Sequence, residues 1–239
     1  MTGWRVAVLG NSHAAALGLG WKAAGGDIAG IASLSVFARP NGQGGLDGLR
    51  LKGGVIEGDS LELRQSFVQT AGIDHIELQR YDAFLIHSFG PEPRLVYGSA
   101  ATLEGHHYSA ALMRAYQADI RQDVKVRYDQ SPIAALAELL RSGTQSPVFA
   151  THKPLFAENI PKLGRPFQAG AFSYANYQEG VRASLAGMGC RFLPQPPETI
   201  VGGCFTAARF ARDDFMHMDG AYGLLVLHAL AAALGDKPA

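Results

Sequence analysis

The sequence predicts an α/β protein, a three-layer α/β/α sandwich around a central parallel sheet of five strands in the order 2-1-3-4-5. Three observations carry that expectation. Short apolar runs of strand character recur at 6–9, 28–37, 82–87, 147–151 and 190–193. The stretches between them are dominated by helix formers, and strands that alternate with helices pair in parallel. The chain has 239 residues, 47% of them hydrophobic, enough to bury one sizeable core. No composition break or internal repeat divides it, so a single domain over 1–239 is expected.

The first strand, Val6-Ala7-Val8-Leu9, ends at Gly10-Asn11, two residues that tolerate a sharp turn. A helix follows over 13–24, closed by Gly25-Gly26. The run at 28–37, rich in Ile, Val and Ser, is the second strand. Residues 38–48, with Pro40, Asn41 and four glycines, read as a loop, and 49–57 as a short extension. Residues 60–70 suit a helix. The third strand, 82–87, stops at Ser88-Phe89-Gly90-Pro91. Residues 99–121 read as mostly helical, and 133–140 carries a clear apolar stripe. The fourth strand at 147–151 is cut off by Lys153-Pro154, and an aromatic, proline-rich loop runs to about 172. A helix over 173–187, the fifth strand and an amphipathic helix over 221–234 complete the chain.

Charge excludes some functions. Lys plus Arg and Asp plus Glu each total 21, giving a formal net charge of zero. That balance offers no electrostatic footprint for nucleic acid or an anionic membrane. The first residues run straight into a strand, and no stretch is long and apolar enough for a signal peptide core or a membrane span. A cytoplasmic protein with reduced thiols at Cys190 and Cys204 is the expectation.

Ser12 sits at the corner between first strand and first helix. One role there is an N-cap, accepting a hydrogen bond from an orphaned helical N–H and stabilising by about 1 kcal/mol. The other is a nucleophile held at the carboxyl end of a strand, with helix N–H groups aimed at an oxyanion. In open parallel sheets, ligands bind beyond the strand ends where the strand order reverses. With the order 2-1-3-4-5, that crevice lies between the first and third strands, facing Ser12 and the Ser88-Phe89-Gly90 turn. A serine hydroxyl needs a base to take its proton, and the base needs an acceptor on its other ring nitrogen. Asp214 and His217, three residues apart before the last helix, can turn to one side. The chain order Ser, Asp, His is one a triad can use.

Taken together, Gly10-Asn11-Ser12-His13 after the first strand and Asp214-Phe215-Met216-His217 before the last helix resemble the SGNH (GDSL-type) hydrolase family. The resemblance implies a three-layer α/β/α fold and metal-free, cofactor-free hydrolysis or transfer of acyl esters. It makes Ser12 the nucleophile, His217 the general base and Asp214 the residue that orients the base, with Asp213 a rival that the spacing disfavours. The segment 148–154 also resembles the strand-then-proline stretch the family carries before its late helix.

Departures from the family pattern are specific. Asn11 replaces the usual Asp, a change expected to be structural. The family's oxyanion hole uses the nucleophile's N–H, a second-block Gly N–H and a third-block Asn side chain. The Gly falls among Gly42, Gly44 and Gly45, with Gly44 favoured and Gly53 and Gly54 as alternatives. No third-block Asn exists, because the third strand ends in His87-Ser88-Phe89-Gly90-Pro91-Glu92. Ser88, Gly90, His87 or Asn41 substitutes, or backbone alone forms the hole; losing one donor costs about 10²–10³ in rate. Asp219 and then Tyr222-Gly223 nearly match the Asn and Gly-Tyr pair that often follow the family histidine.

Asn11, His13, His87 and His152 are expected to line the substrate site. Phe156, Phe167, Phe172, Tyr174 and Tyr177 read mainly as packing, with one or two available as a platform for a sugar or acyl chain. A dinucleotide loop at 10–20 is disfavoured because Ser12 occupies the second glycine position. A metal site at His106-His107 with His87 and His152 is disfavoured because adjacent histidines diverge on a helix. The expected function is a serine esterase of small acyl esters, with an acetylated carbohydrate as the first substrate. The alternatives are a sugar O-acyltransferase using the same residues, or a carbohydrate-binding member of the fold with weak catalysis. The sequence is silent on oligomeric state.

Overall fold

A computed structural model of the chain describes residues 3–39, 46–105, 107–161 and 167–235. Its elements in chain order begin with β1 (Trp4–Gly10), α1 (Ala15–Ala23), β2 (Ile31–Ala38), β3 (Leu49–Lys52), β4 (Val55–Gly58), α2 (Leu61–Ala71) and β5 (His75–Glu77). There follow β6 (Ala83–His87), α3 (Arg94–Leu103), α4 (Ala110–Asp129), α5 (Pro132–Gly143) and β7 (Val148–Ala150). The chain ends with α6 (Gly170–Gly187), β8 (Arg191–Phe192), β9 (Ile200–Val201), β10 (Phe205–Thr206) and α7 (Gly220–Leu234).

The central sheet is parallel, in the order β2-β1-β6-β7-β8. Numbering only these five strands gives the expected 2-1-3-4-5. Alternation along the strands builds the two flanking layers, since successive side chains point to opposite faces. Val6 and Val8 with Ala83 and Leu85 face α1 and α7. Ala7 and Leu9 with Phe84 and Ile86 face the layer of α2 to α6. All eight are fully buried, which is why β1 and β6 read as unbroken apolar runs.

Three expectations change in detail. The extension at 49–57 is a hairpin, β3 against β4, widened to three antiparallel strands by β5. Its turn is Gly53-Gly54, with φ of 60° and 80°, the left-handed pair that a two-residue hairpin loop requires. The helical stretch at 99–121 is two helices, because Gly105 turns left-handed (φ 70°) and Ser109 caps α4 afresh by accepting from Leu112 N–H. The second strand starts at Ile31, after Gly30 at φ 88° ends the preceding turn.

The two ends of the chain meet through α1 and α7. A Cβ on Gly20 would collide with the backbone of Gly223 and Leu224, and one on Gly223 with the backbone of Ala16 and Leu17. Only glycine allows the two helices to cross this closely. That crossing carries the start of α1 and the loop before α7 to the same end of the sheet. Among the described residues, no helix is long and apolar enough to cross a membrane.

Candidate active site

The chain leaves β1 through Gly10, where a side chain would strike Ala14 Cβ, and turns at once into one 3-10 turn, Ser12–Ala14, before α1. Asn11, not Ser12, is its N-cap: the Asn11 Oδ1 accepts from His13 N–H at 3.0 Å. The capping role considered for Ser12 is therefore filled by its neighbour, and the Ser12 hydroxyl is left to other partners. Asn11 Nδ2 also donates to the Ser88 carbonyl at 2.8 Å, tying the ends of β1 and β6 together. An aspartate could accept the first bond but could not donate the second, which gives Asn11 the structural role expected for it.

Ser12 Oγ lies 2.8 Å from His217 Nε2, across 205 positions of sequence. His217 Nδ1 lies 2.6 Å from Asp214 Oδ2. A carboxylate only accepts, so the neutral ring carries its proton on Nδ1 and presents Nε2 as an acceptor to the serine hydroxyl. The loop that holds this pair is built around Phe215, whose φ is 60°. That left-handed residue folds the chain so that Asp214 Oδ1 accepts from Met216 N–H at 3.0 Å and His217 N–H at 2.8 Å. Arg212 N–H to the His217 carbonyl and Asp219 N–H to the Phe210 carbonyl, both 2.8 Å, close the loop. Asp219 caps α7 by accepting from Tyr222 N–H at 2.9 Å.

Desolvation alone would raise the Asp214 pKa, but the backbone N–H of His217, its ring and the Met216 N–H outweigh it and bring the carboxyl down to about 2. Asp214 is thus ionised at neutral pH and able to stabilise an imidazolium. Asp213 and Asp214 both line the neighbouring cleft, and the contact with the His217 ring is made by Asp214.

His13 packs its ring against that of His217, centroids 4.7 Å apart and planes tilted by 30°. Burial, the nearby His217 and Lys153 lower its pKa to about 4, so it stays neutral beside His217. His87 and His152 were expected to line the site, but both are core residues, 1% and 2% exposed. His87 Nδ1 bonds Thr151 Oγ1 at 2.9 Å. His152 Nε2 bonds the Tyr174 hydroxyl at 3.0 Å, with Tyr177 and Phe192 around the ring. Desolvation lowers them to about 3 and about 4.

Of the oxyanion donors expected, the Ser12 N–H lies at the start of the 3-10 turn, where N–H groups lack intrahelical partners. Gly44 lies outside the described residues, as do Asn41, Gly42 and Gly45. Ser88 is a correction: it is fully buried and its N–H is spent on Thr151 Oγ1 at 3.1 Å. Gly90 is a second. It is buried under Tyr128, whose hydroxyl fills the space a Cβ would need, so its glycine serves packing. Of the aromatic residues considered, Phe156, Tyr174 and Tyr177 are buried packing residues, whereas Phe167 and Phe172 are half-buried.

A cleft of about 870 Å³ opens beside Ser12 and His217, a size that suits a small organic ligand. One wall is α1, through Ala15, Gly18, Leu19 and Lys22; facing it are Leu34 and Val36 of β2. These residues were not singled out from the sequence. The spacing i, i+3, i+4, i+7 placed the first four on one helix face, but nothing in it said that the face borders a cleft.

No family model matches the sequence, and no curated protein matches it. Several solved structures align with it at low identity. A chain described as an SGNH hydrolase from Slackia heliotrinireducens is 15% identical with a TM-score of 0.47, covering 98% of this chain and 100% of that one. An acetyl xylan esterase is 9% identical with a TM-score of 0.45, covering 97% and 100%. A GDSL-like lipase from Bacteroides thetaiotaomicron is 14% identical with a TM-score of 0.39, covering 96% and 86%.

The site stands on its own distances. Cys190 and Cys204 are both buried free thiols, raised to about 11 mainly by desolvation, and neither reaches this site by any hydrogen bond among the described residues. Among those residues, no group of three or more His, Cys, Asp or Glu is placed to hold a metal ion; His106 lies outside them.

Proposed function

We propose that the protein is a serine esterase of small acyl esters, with Ser12 as nucleophile, His217 as general base and Asp214 as its orienting partner. One observation supports this above the rest: hydroxyl, imidazole and carboxylate form an unbroken line of contacts at 2.8 and 2.6 Å. That line is assembled from loops at opposite ends of the chain.

Ser12 Oγ attacks the ester carbonyl carbon as its proton passes to His217 Nε2. The new imidazolium is stabilised by the Asp214 carboxylate. The oxyanion is held by the Ser12 N–H at the start of the helical turn, where unpaired donors and helix polarity favour negative charge. Collapse breaks the bond between carbonyl carbon and alkoxy oxygen, and His217 returns its proton to the departing alcohol. Water then attacks the acyl-Ser12, giving a proton to His217; the bond between the acyl carbon and Oγ breaks, His217 returns that proton to Oγ, and the acid leaves. A sugar hydroxyl in place of that water would make the protein an O-acyltransferase, with an acylated sugar as product.

A fluorophosphonate ester tests the reading, because phosphonylation needs the same activated hydroxyl. Wild-type protein should gain one phosphonyl group on Ser12 by peptide mass spectrometry, and His217→Ala should lose that labelling. Labelling elsewhere, or none, would refute the assignment. A supplied acceptor sugar that raises ester turnover and appears acylated would favour transfer over hydrolysis.

A further inference from the structure

The His217 ring is held at its edge by two bonds, Ser12 Oγ at Nε2 and Asp214 Oδ2 at Nδ1. Its face is met by the ring of His13, centroids 4.7 Å apart, which is close for an aromatic pair. His13 follows the nucleophile directly, and its own N–H is fixed by Asn11, so the ring is carried by the same turn that presents Ser12.

Packing alone does not account for a histidine here. His13 Nδ1 is buried with no hydrogen-bond partner, and a polar atom left in that state destabilises the fold. A leucine or phenylalanine would fill the space without that cost. Orphaned buried N–H groups are rarer than under-bonded acceptors, so the ring proton belongs on Nε2, which is not enclosed in this way. The ring therefore buries a lone pair, negative rather than positive partial charge.

The charged and titratable groups around the two rings are few. Asp214 touches the His217 ring, and Arg212 and Asp213 line the cleft with it. Lys153 and His87 lie near His13. Burial, then His217 and Lys153, keep His13 uncharged. Accepting the Ser12 proton makes His217 a cation over a neutral ring. An aromatic face attracts a cation within about 6 Å of its centroid, and an uncharged neighbour adds no repulsion.

We infer that His13 is a positioning residue for the general base: its neutral ring backs His217, holds it in line with Ser12 and stabilises the imidazolium formed there. The inference rests on the reading of His217 as the base of an ester-cleaving serine.

The test follows the His217 ring by NMR titration of protein carrying labelled histidine, its signal assigned by loss in His217→Gln. Wild type is compared with His13→Leu and His13→Phe. Removing a group that favours the charged form lowers a histidine pKa. His217 in His13→Leu should therefore titrate about half a unit or more below wild type, with His13→Phe in between because it keeps a ring face. With p-nitrophenyl acetate, the acid limb of the pH–rate profile should move down by the same amount. The kcat should fall roughly three- to tenfold, with KM little changed. If His13→Leu does not fold, His13→Ala takes its place in each comparison.

A purely structural His13 would lower the melting temperature and leave the His217 titration where it was. An unshifted or raised His217 pKa would thus overturn the inference, as would nitrogen shifts placing the His13 proton on Nδ1. A lowered His217 pKa in His13→Leu, with no ester cleaved and no fluorophosphonate taken up by wild type, would remove the esterase reading. The effect of the ring contact on His217 would then stand by itself.

Discussion

Gly223 of α7 sits against the carbonyl of Ala16 in α1 so closely that a Cβ on it would collide with that oxygen. This pair holds the helix that follows Ser12 and the loop that carries His217 in one register, since Ser12 lies four positions before Ala16 and His217 six before Gly223. Gly223→Ala should therefore do two things. It should destabilise by about 3 kcal/mol, the upper range for forced overpacking, and it should lower kcat by displacing His217 from Ser12. Urea unfolding and steady-state kinetics on the same preparation check both. A stable variant with full activity would show that the helix crossing does not set the active geometry.

Asn11 separates a cap from a clasp. Asn11→Asp keeps the acceptor for His13 N–H but turns a carboxylate oxygen toward the Ser88 carbonyl, where the amide had donated. A loss of about 1–2 kcal/mol is expected, the cost of an acceptor left facing an acceptor. Asn11→Ala should cost at least as much. Thermal melts of the two variants rank the two bonds.

Asp214→Asn should leave the fold intact and reduce kcat by roughly 10³–10⁴, the order found when the orienting carboxylate of such a triad is lost. An amide can donate to Nδ1 and so favours the tautomer that cannot take the serine proton. Asp213→Asn should change kcat by less than threefold. The reverse pattern would move the orienting role to Asp213.

Acid should unfold the protein through its buried imidazoles. His13, His87 and His152 are lowered to about 4, 3 and 4 in the folded state, against about 6.5 unfolded. Between those values the unfolded chain binds more protons, so stability is fully present above about pH 6.5 and falls as pH drops. Each histidine contributes a slope of up to about 1.4 kcal/mol per pH unit. Asp214 acts in the same direction lower down: with its folded pKa at about 2, its contribution is present above about pH 4 and lost as pH falls toward 2. Urea midpoints from pH 8 to pH 4 should fall most steeply below 6.5, and His87→Gln should flatten the curve.

Much of this was legible in the sequence, and the limits have physical causes. The five strands were readable because β1 and β6 are buried on both faces and so apolar throughout. The contact of Asp214 with His217 was readable because the two stand three residues apart, a spacing that the left-handed Phe215 folds into one loop. His87 and His152 misled because strand ends that look like a site rim are covered here, His87 by Thr151 just past β7 and His152 by Tyr174 and Tyr177 of α6. Ser88 misled because its position suits an oxyanion donor, while Thr151, 63 residues on, takes its N–H. The cleft wall was invisible for a related reason. Periodicity says which residues share a face of α1, and only the fold says that this face borders open space.

The most direct test is p-nitrophenyl acetate hydrolysis by wild type and Ser12→Ala, with a melting curve for each. The account predicts turnover by wild type, none above background in Ser12→Ala, and melting temperatures within about 2 °C, because Asn11 rather than Ser12 caps the turn. Equal turnover by both proteins, or a Ser12→Ala variant that melts several degrees lower while wild type shows no esterase activity, would contradict it.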